Sequence, residues 1–213
     1  MFNNLVEKSK EFFPGLEVKY KTESSFMKLI GKILFFNKTF MTSYTTTIGS
    51  TIYFPNREFV NNKEVSSSII FLHELVHIHD AKKISKPLFT FLYLFPQILA
   101  LLFFPMLFVS WKLALLFLIC AAPLPAYFRM KFEKRAYLVS LYVTDKLSKK
   151  YNFTANLDVQ KVHLLEQFST SAYYYMWVFK NLNKDFDDGI SLIKLGKRPY
   201  EDPVFDMLDK LLV

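Results

Sequence analysis

The feature that most constrains this chain is an apolar stretch at residues 88–128, whose only charged residue is Lys112. Its first part, residues 88–108, would be roughly 31 Å long as a helix, which is enough to cross a bilayer. Its second part, residues 113–128, is shorter and contains two prolines. We therefore expect a transmembrane helical hairpin at 88–128. A buried core hairpin or a re-entrant insert is the alternative.

Basic residues flank this stretch on both sides. They are Lys82, Lys83 and Lys86 before it and Arg129, Lys131, Lys134 and Arg135 after it. Lysine and arginine near the ends of a membrane segment favour the cytoplasmic side. We expect an integral membrane protein in which residues 1–87 and 129–213 form one domain on the cytoplasmic side.

The composition supports a lipid partner. Hydrophobic residues make up 52% of the chain and aromatic residues 18%, with 24 phenylalanines, and the net charge is +8. A basic chain binds either nucleic acid or an anionic membrane surface. No pattern typical of an RNA-recognition, helix-turn-helix or zinc-finger module is present, so we expect a bilayer and no specific nucleic acid. The single cysteine, Cys120, excludes an internal disulfide framework.

The residues His73-Glu74-Leu75-Val76-His77 match the pattern H-E-x-x-H. On a helix the two histidines lie on one face and can bind one metal ion. The carboxylate of Glu74 can then reach a metal-bound water and act as its general base. The pattern predicts a zinc site on a helix, and Asn61 followed by Glu64 predicts where that helix is capped.

A zinc hydrolase site needs a third protein ligand and an open position. His79 is about 200° around the helix from His77 and points elsewhere. Asp80 shares the face of the two histidines one turn further on, and we expect it to hydrogen-bond a ligand imidazole. Glu133 is the best candidate for the third ligand. It opens the next helical pattern, and the small Ala136 one turn later lets two helices approach closely.

The HELVH sequence at 73–77 followed by Glu133-x-x-Ala136 resembles the gluzincins. It is similar in particular to the integral-membrane M48 metallopeptidases and the small minigluzincins. Tyr137 stands where M48 enzymes usually have aspartate, so the closer resemblance is to a minigluzincin with a membrane insert. The resemblance implies an α+β, mostly helical zincin domain with a short β-hairpin or sheet, and Zn²⁺ bound by both histidines and Glu133.

The resemblance also implies residues that contact the substrate. Gluzincins often place a histidine, tyrosine or arginine after the glutamate helix to stabilise the oxyanion. They have an edge strand just before the metal helix that pairs with an extended peptide. The oxyanion or substrate candidates are His163, Tyr173 and Tyr174. The candidate edge strand is Ile52, Tyr53 and Phe54, with a plain hairpin as the alternative.

Local patterns predict several other elements. Residues 16–20 alternate between apolar and polar and predict a strand. Gly49-Ser50 favours a tight turn in a hairpin. Residues 185–189, with three aspartates and a glycine, lack the spaced ligands of a calcium loop and predict a turn.

We interpret the whole chain as a membrane-anchored zinc-dependent metallopeptidase that uses Glu74 as the general base and acts on a peptide or protein substrate. Two alternatives remain open from the residues alone. One is a non-catalytic membrane protein with a structural metal site. The other is a basic scaffold that binds lipid or nucleic acid. The sequence does not indicate an oligomeric state.

Overall fold

The computed structural model describes residues 1–35, 37, 39–170, 174–179 and 181–213. The chain divides into two compact units, one of Met1–His79 with Glu201–Val213 and one of Asp80–Tyr200. Helices dominate, and a small three-stranded sheet lies in the first unit. The predicted α+β, mostly helical class is confirmed. The domain boundaries predicted at residues 87 and 128 stay a prediction.

The first unit contains the sheet, the helices around it and most of the helix that carries the HELVH motif. Its elements are α1 (Phe2–Ser9), β1 (Glu17–Tyr20), α2 (Ser25–Ile33), β2 (Thr46–Ile48), β3 (Thr51–Phe54), α3 (Arg57–Asn62), α4 (Glu64–Ile84, which continues into the second unit) and α11 (Val204–Leu212).

The sheet has the strand order β1-β3-β2. The central strand β3 runs parallel to β1, with Val18 opposite Ile52, and antiparallel to β2, with Thr47 opposite Ile52. The turn between β2 and β3 uses Gly49 at φ 65°, a conformation that glycine adopts without strain. The predicted β-hairpin is therefore confirmed. Ile52 and Phe54 are completely buried, so one face of β3 belongs to the core.

Aromatic rings join three elements of this unit. The ring of Phe2 on α1 meets Phe54 on β3 edge-on at 5.3 Å and Phe71 on α4 at 5.6 Å. Helix α11 also packs against α1. The apolar residues around the motif thus face a core, and Leu72 and Leu75 beside His73 are completely buried.

The start of α4 differs from the sequence prediction. Asn61 was predicted to cap the motif helix, but it lies inside the separate short helix α3. The cap that forms is Asn56, whose side-chain oxygen accepts a hydrogen bond from the main-chain N–H of Phe59 at 2.7 Å. The chain then breaks at Lys63 and α4 begins at Glu64. The prediction was wrong because residues 57–84 form two separate helices, α3 and α4, rather than one.

The second unit is helical around one long element. Its elements are the end of α4, α5 (Lys86–Leu94), α6 (Phe103–Met106), α7 (Trp111–Leu118), α8 (Tyr127–Tyr151), α9 (Leu157–Ser169) and α10 (Leu182–Lys194), with 3-10 turns at Gln97–Leu102 and Ile119–Ala121. Helices α5, α9 and α10 pack against α8.

The apolar stretch, which was predicted to form a transmembrane helical hairpin, consists of several short helical segments. Helix α5 ends before Pro96, and the apolar segment Gln97–Met106 leaves it at an angle of 90°. Proline lacks an N–H and disfavours the helical conformation of the residue before it, and Phe95 is accordingly extended. Among the residues described, no single helix is long and apolar enough to cross a bilayer, although the bent pair meets both criteria jointly. The predicted transmembrane helical hairpin is not confirmed.

The predicted turn at residues 185–189 is wrong, because these residues lie within α10. Phe186 is completely buried there. A Cβ atom on Gly189 would lie 2.6 Å from Cδ2 of Leu138, so the glycine permits α10 to approach α8 closely. Packing of this face therefore outweighs the local preference of the aspartates and glycine for a turn.

Candidate metal centre

Helix α4 presents His73 and His77 on one face, one turn apart. Their Nε2 atoms lie 3.3 Å apart, and the two rings meet edge-on with centroids 5.0 Å apart. Both side chains are buried, each with 6% of its surface exposed. Two ligand nitrogens of one tetrahedral zinc ion are expected about 3.4 Å apart, so the spacing of the two imidazoles suits a shared metal ion.

Glu133 lies two turns into α8 and is almost completely buried, at 1% exposure. A buried carboxylate is costly unless it is hydrogen-bonded, paired or bound to a metal. One partner is Tyr93 on α5, whose hydroxyl donates a hydrogen bond to Oε1 of Glu133. Tyr93 does not stand out in the sequence, because it lies in the apolar stretch and tyrosine is common at membrane interfaces.

His73, His77 and Glu133 form a group in which one possible ligand atom from each lies within 4.8 Å of the others. Two imidazole nitrogens and a carboxylate oxygen are the donors of many catalytic zinc sites. This buried group can hold a metal ion. The donors also suit other transition metals, so the identity of the metal is not fixed by the arrangement.

Glu74 is not a member of this group. Its carboxylate is partly exposed, and its Oε2 accepts a hydrogen bond of 2.6 Å from the hydroxyl of Thr47 on β2. Glu74 follows His73 directly in sequence on α4, and its role as a general base stays a prediction. No local sequence pattern indicated Thr47, since the contact joins residues 27 positions apart.

A completely buried lysine is also close to Glu74. Nζ of Lys21 donates a hydrogen bond of 2.7 Å to the main-chain oxygen of Phe40 and lies 3.9 Å from the centroid of the Phe40 ring. Burial lowers the pKa of Lys21 to about 8, and the negative charge of Glu74 opposes part of that decrease. Lys21 follows an ordinary alternating strand, which is why the sequence pattern did not single it out.

Asp80 lies one turn after His77 and is 2% exposed. Its Oδ1 lies 2.9 Å from Nη1 of Arg135, on α8, and the two side chains form an ion pair. The guanidinium of Arg135 also lies over the ring of Tyr200, 5.6 Å from its centroid. Asp80 thus joins the end of α4 to α8 by an ion pair. Its predicted contact with a ligand imidazole stays a prediction.

The predicted substrate edge strand is wrong as assigned. Ile52, Tyr53 and Phe54 form β3, the central strand, which is hydrogen-bonded to a neighbour on each side and has no edge to offer. The sequence could not reveal this, because β1 comes from more than 30 positions upstream. Within the described residues the edge strand that contacts the motif is β2, through Thr47.

Of the three oxyanion candidates, the structure describes His163 and Tyr174. The side chain of His163 on α9 is 72% exposed. Its Nδ1 lies 3.7 Å from Oε2 of Glu166 on the same helix. The hydroxyl of Tyr174 donates to the main-chain oxygen of Ala121, at the end of the apolar stretch. Tyr173 lies outside the described residues. An oxyanion or substrate role for these three residues stays a prediction.

The chain was compared with family models, with curated proteins and with solved structures. None of the three comparisons finds a match. The likeness to gluzincins stays a prediction from the two motifs.

Proposed function

We propose that this protein is a zinc-dependent hydrolase of peptide bonds. The single observation that carries the proposal is the buried group of His73, His77 and Glu133, and Glu74 follows His73 directly on α4. A zinc ion bound there would polarise the scissile carbonyl and acidify a water molecule. Glu74 would accept the proton of the attacking water and deliver it to the leaving amine nitrogen.

The hydrogen bond from Thr47 supports this role for Glu74. A general base must be held within reach of the proton it removes, and its position depends on neighbouring groups. The Thr47 hydroxyl fixes one carboxylate oxygen from the side of the sheet and leaves the second oxygen for a water molecule. Because Glu74 is partly exposed, a substrate can approach it from solvent.

Strand β2 offers a place for an extended substrate. A peptide that adds to the edge of a sheet gains main-chain hydrogen bonds without a demand on its sequence. A peptide paired with β2 would pass beside the residue that holds Glu74. We therefore assign the substrate strand to β2, which lies at an edge of the described sheet, in place of the central strand β3.

We also propose that the apolar stretch contacts a lipid bilayer at the cytoplasmic face. Large apolar side chains there are exposed, and Phe108 is 94% exposed. Exposed large apolar side chains, where they form a patch, mark an interaction site. Other exposed members are Leu88, Leu101, Phe104, Trp111, Leu116 and Ile119. The basic residues before and after the stretch suit anionic headgroups, and the bend at Pro96 suits an insert that enters and leaves on one side.

A structural metal site is the rival assignment, and the variant Glu74→Gln separates the two. Purified full-length protein in detergent would be tested for zinc content and for cleavage of fluorescent casein. We expect Glu74→Gln to keep its zinc and to lose at least 99% of the hydrolysis, since Glu74 acts on the proton and not on the metal. If wild-type protein binds zinc but cleaves casein no faster than Glu74→Gln does, the result supports the structural assignment instead.

A further inference from the structure

The hydroxyl of Tyr93 donates a hydrogen bond to Oε1 of Glu133, although the two residues are 40 positions apart. Tyr93 lies on α5, inside a stretch whose composition suggests nothing but contact with lipid. Glu133 is a member of the buried group that can hold a metal ion. The apolar stretch therefore contributes a polar contact to a candidate metal ligand.

The ring of Tyr93 is held from several sides. Phe89, one turn earlier on α5, stacks on it with ring centroids 5.7 Å apart. The guanidinium carbon of Arg129 on α8 lies 5.1 Å from the centroid of the same ring. Phe89 in turn packs against Phe132, the residue before Glu133, at 4.7 Å. With its ring fixed between α5 and α8, the Tyr93 hydroxyl has little freedom to leave the carboxylate.

A fixed donor matters for a carboxylate ligand. Glutamate has three side-chain torsions, and a metal ion must select one orientation of the carboxylate from those available. A hydrogen bond to one oxygen restricts that choice before the metal arrives. Groups that hydrogen-bond a metal ligand in this way commonly contribute about 10- to 100-fold to metal affinity.

We propose that Tyr93 is a positioning residue of the metal centre, whose hydroxyl orients the carboxylate of Glu133 for metal binding. The apolar stretch is then part of the centre as well as a surface for lipid. This inference rests on the metal centre proposed above, so its test must distinguish failure of the centre from failure of the role of Tyr93.

The experiment measures zinc affinity of the full-length protein in detergent, by competition with a chromogenic chelator. Tyr93→Phe removes the hydroxyl and keeps the packed ring. We expect it to bind zinc about 10- to 100-fold more weakly than wild type. The matched control is Tyr127→Phe, because Tyr127 is an exposed tyrosine at the start of α8, and we expect its affinity to stay within twofold of wild type.

Glu133→Ala and the double variant complete a thermodynamic cycle. If Tyr93 acts through Glu133, Tyr93→Phe should have almost no effect on the residual affinity of Glu133→Ala. Thermal unfolding of the metal-free proteins checks that Tyr93→Phe remains folded. Should it fail that check, Tyr93→His, which can still donate a hydrogen bond, would be compared with Tyr93→Leu, and zinc affinity should be retained better by the histidine.

Three results would overturn the inference. If Glu133→Ala binds zinc as tightly as wild type, the metal centre itself is wrong. If Glu133→Ala loses affinity but Tyr93→Phe does not, the centre stands and the role of Tyr93 is wrong. If Tyr93→Phe weakens binding equally with and without Glu133, Tyr93 acts by another route.

Discussion

Thr47 on β2 donates a hydrogen bond of 2.6 Å to Oε2 of Glu74 on α4. The contact fixes the proposed general base against the sheet. A hydrogen bond to a charged group contributes about 1.5 to 3 kcal/mol, so its loss should be measurable in the rate of reaction.

Thr47→Val removes the hydroxyl and keeps the shape of the side chain. We expect kcat for casein hydrolysis to fall about tenfold or more with zinc content unchanged, because Glu74 would be less well oriented. The control is Thr46→Val, since the side chain of Thr46 points to the opposite face of the strand and should matter little. Wild-type kcat in Thr47→Val would show that this contact does not orient the base.

Lys21 predicts a particular dependence of stability on pH. Its pKa is about 8 in the folded chain against a reference value of 10.5. Between these values the unfolded chain binds a proton that the folded chain does not, so the free energy of unfolding should rise as the pH increases. Burial of the charged form of Lys21 destabilises the folded chain fully below pH 8 and not at all above pH 10.5. The free energy of unfolding therefore rises by at most ~3 kcal/mol across this range.

Chemical denaturation at several pH values, on wild type and Lys21→Met, tests this prediction. Other groups titrate in the same range, so the quantity of interest is the difference in slope between the two proteins. Lys21→Met should lack the component that wild type gains between pH 8 and 10.5. Lys28→Met, at an exposed position on α2, should keep the wild-type slope. Identical slopes in wild type and Lys21→Met would contradict the buried-charge account.

The proposed contact with lipid can be tested by extraction and labelling. The protein should stay with membranes after carbonate washing, because the exposed apolar residues of the stretch need cover. In a Cys120→Ser background, Lys83→Cys should react with a water-soluble maleimide from the cytoplasmic side alone. Release by carbonate, or labelling of Lys83→Cys from the outer side, would contradict the proposal.

The same experiment decides the path of the stretch. Labelling of Ser110→Cys from the outer side would indicate that the bent segments cross the bilayer. Labelling from the cytoplasmic side would indicate a re-entrant insert. Both paths keep the two flanking parts of the chain on one side.

The helices that carry the candidate ligands could be predicted because their signals are local. HELVH at 73–77 lies among apolar residues, and Glu133 begins a predicted helical pattern that lies inside α8, so both helices could be anticipated although their first residues could not. The path of the apolar stretch could not be predicted from hydropathy. A proline at residue 96 can kink, end or be absorbed by a helix, and the packing around it decides which occurs.

Contacts between distant residues were beyond the reach of sequence patterns. The central position of β3 depends on parallel pairing with β1 across a long connection. Thr47 and Tyr93 find Glu74 and Glu133 through tertiary packing, at separations of 27 and 40 positions. Gly189 lies in a helix because α10 packs closely on Leu138, which no local turn preference can anticipate.

The central claim is that His73, His77 and Glu133 bind one metal ion, and metal stoichiometry by native mass spectrometry tests it most directly. We expect wild type and the exposed-site control Glu166→Ala to carry one zinc ion per chain, and Glu133→Ala to lose it. Full occupancy in Glu133→Ala, with loss of zinc in Asp80→Ala instead, would place the third ligand on α4 and contradict the account.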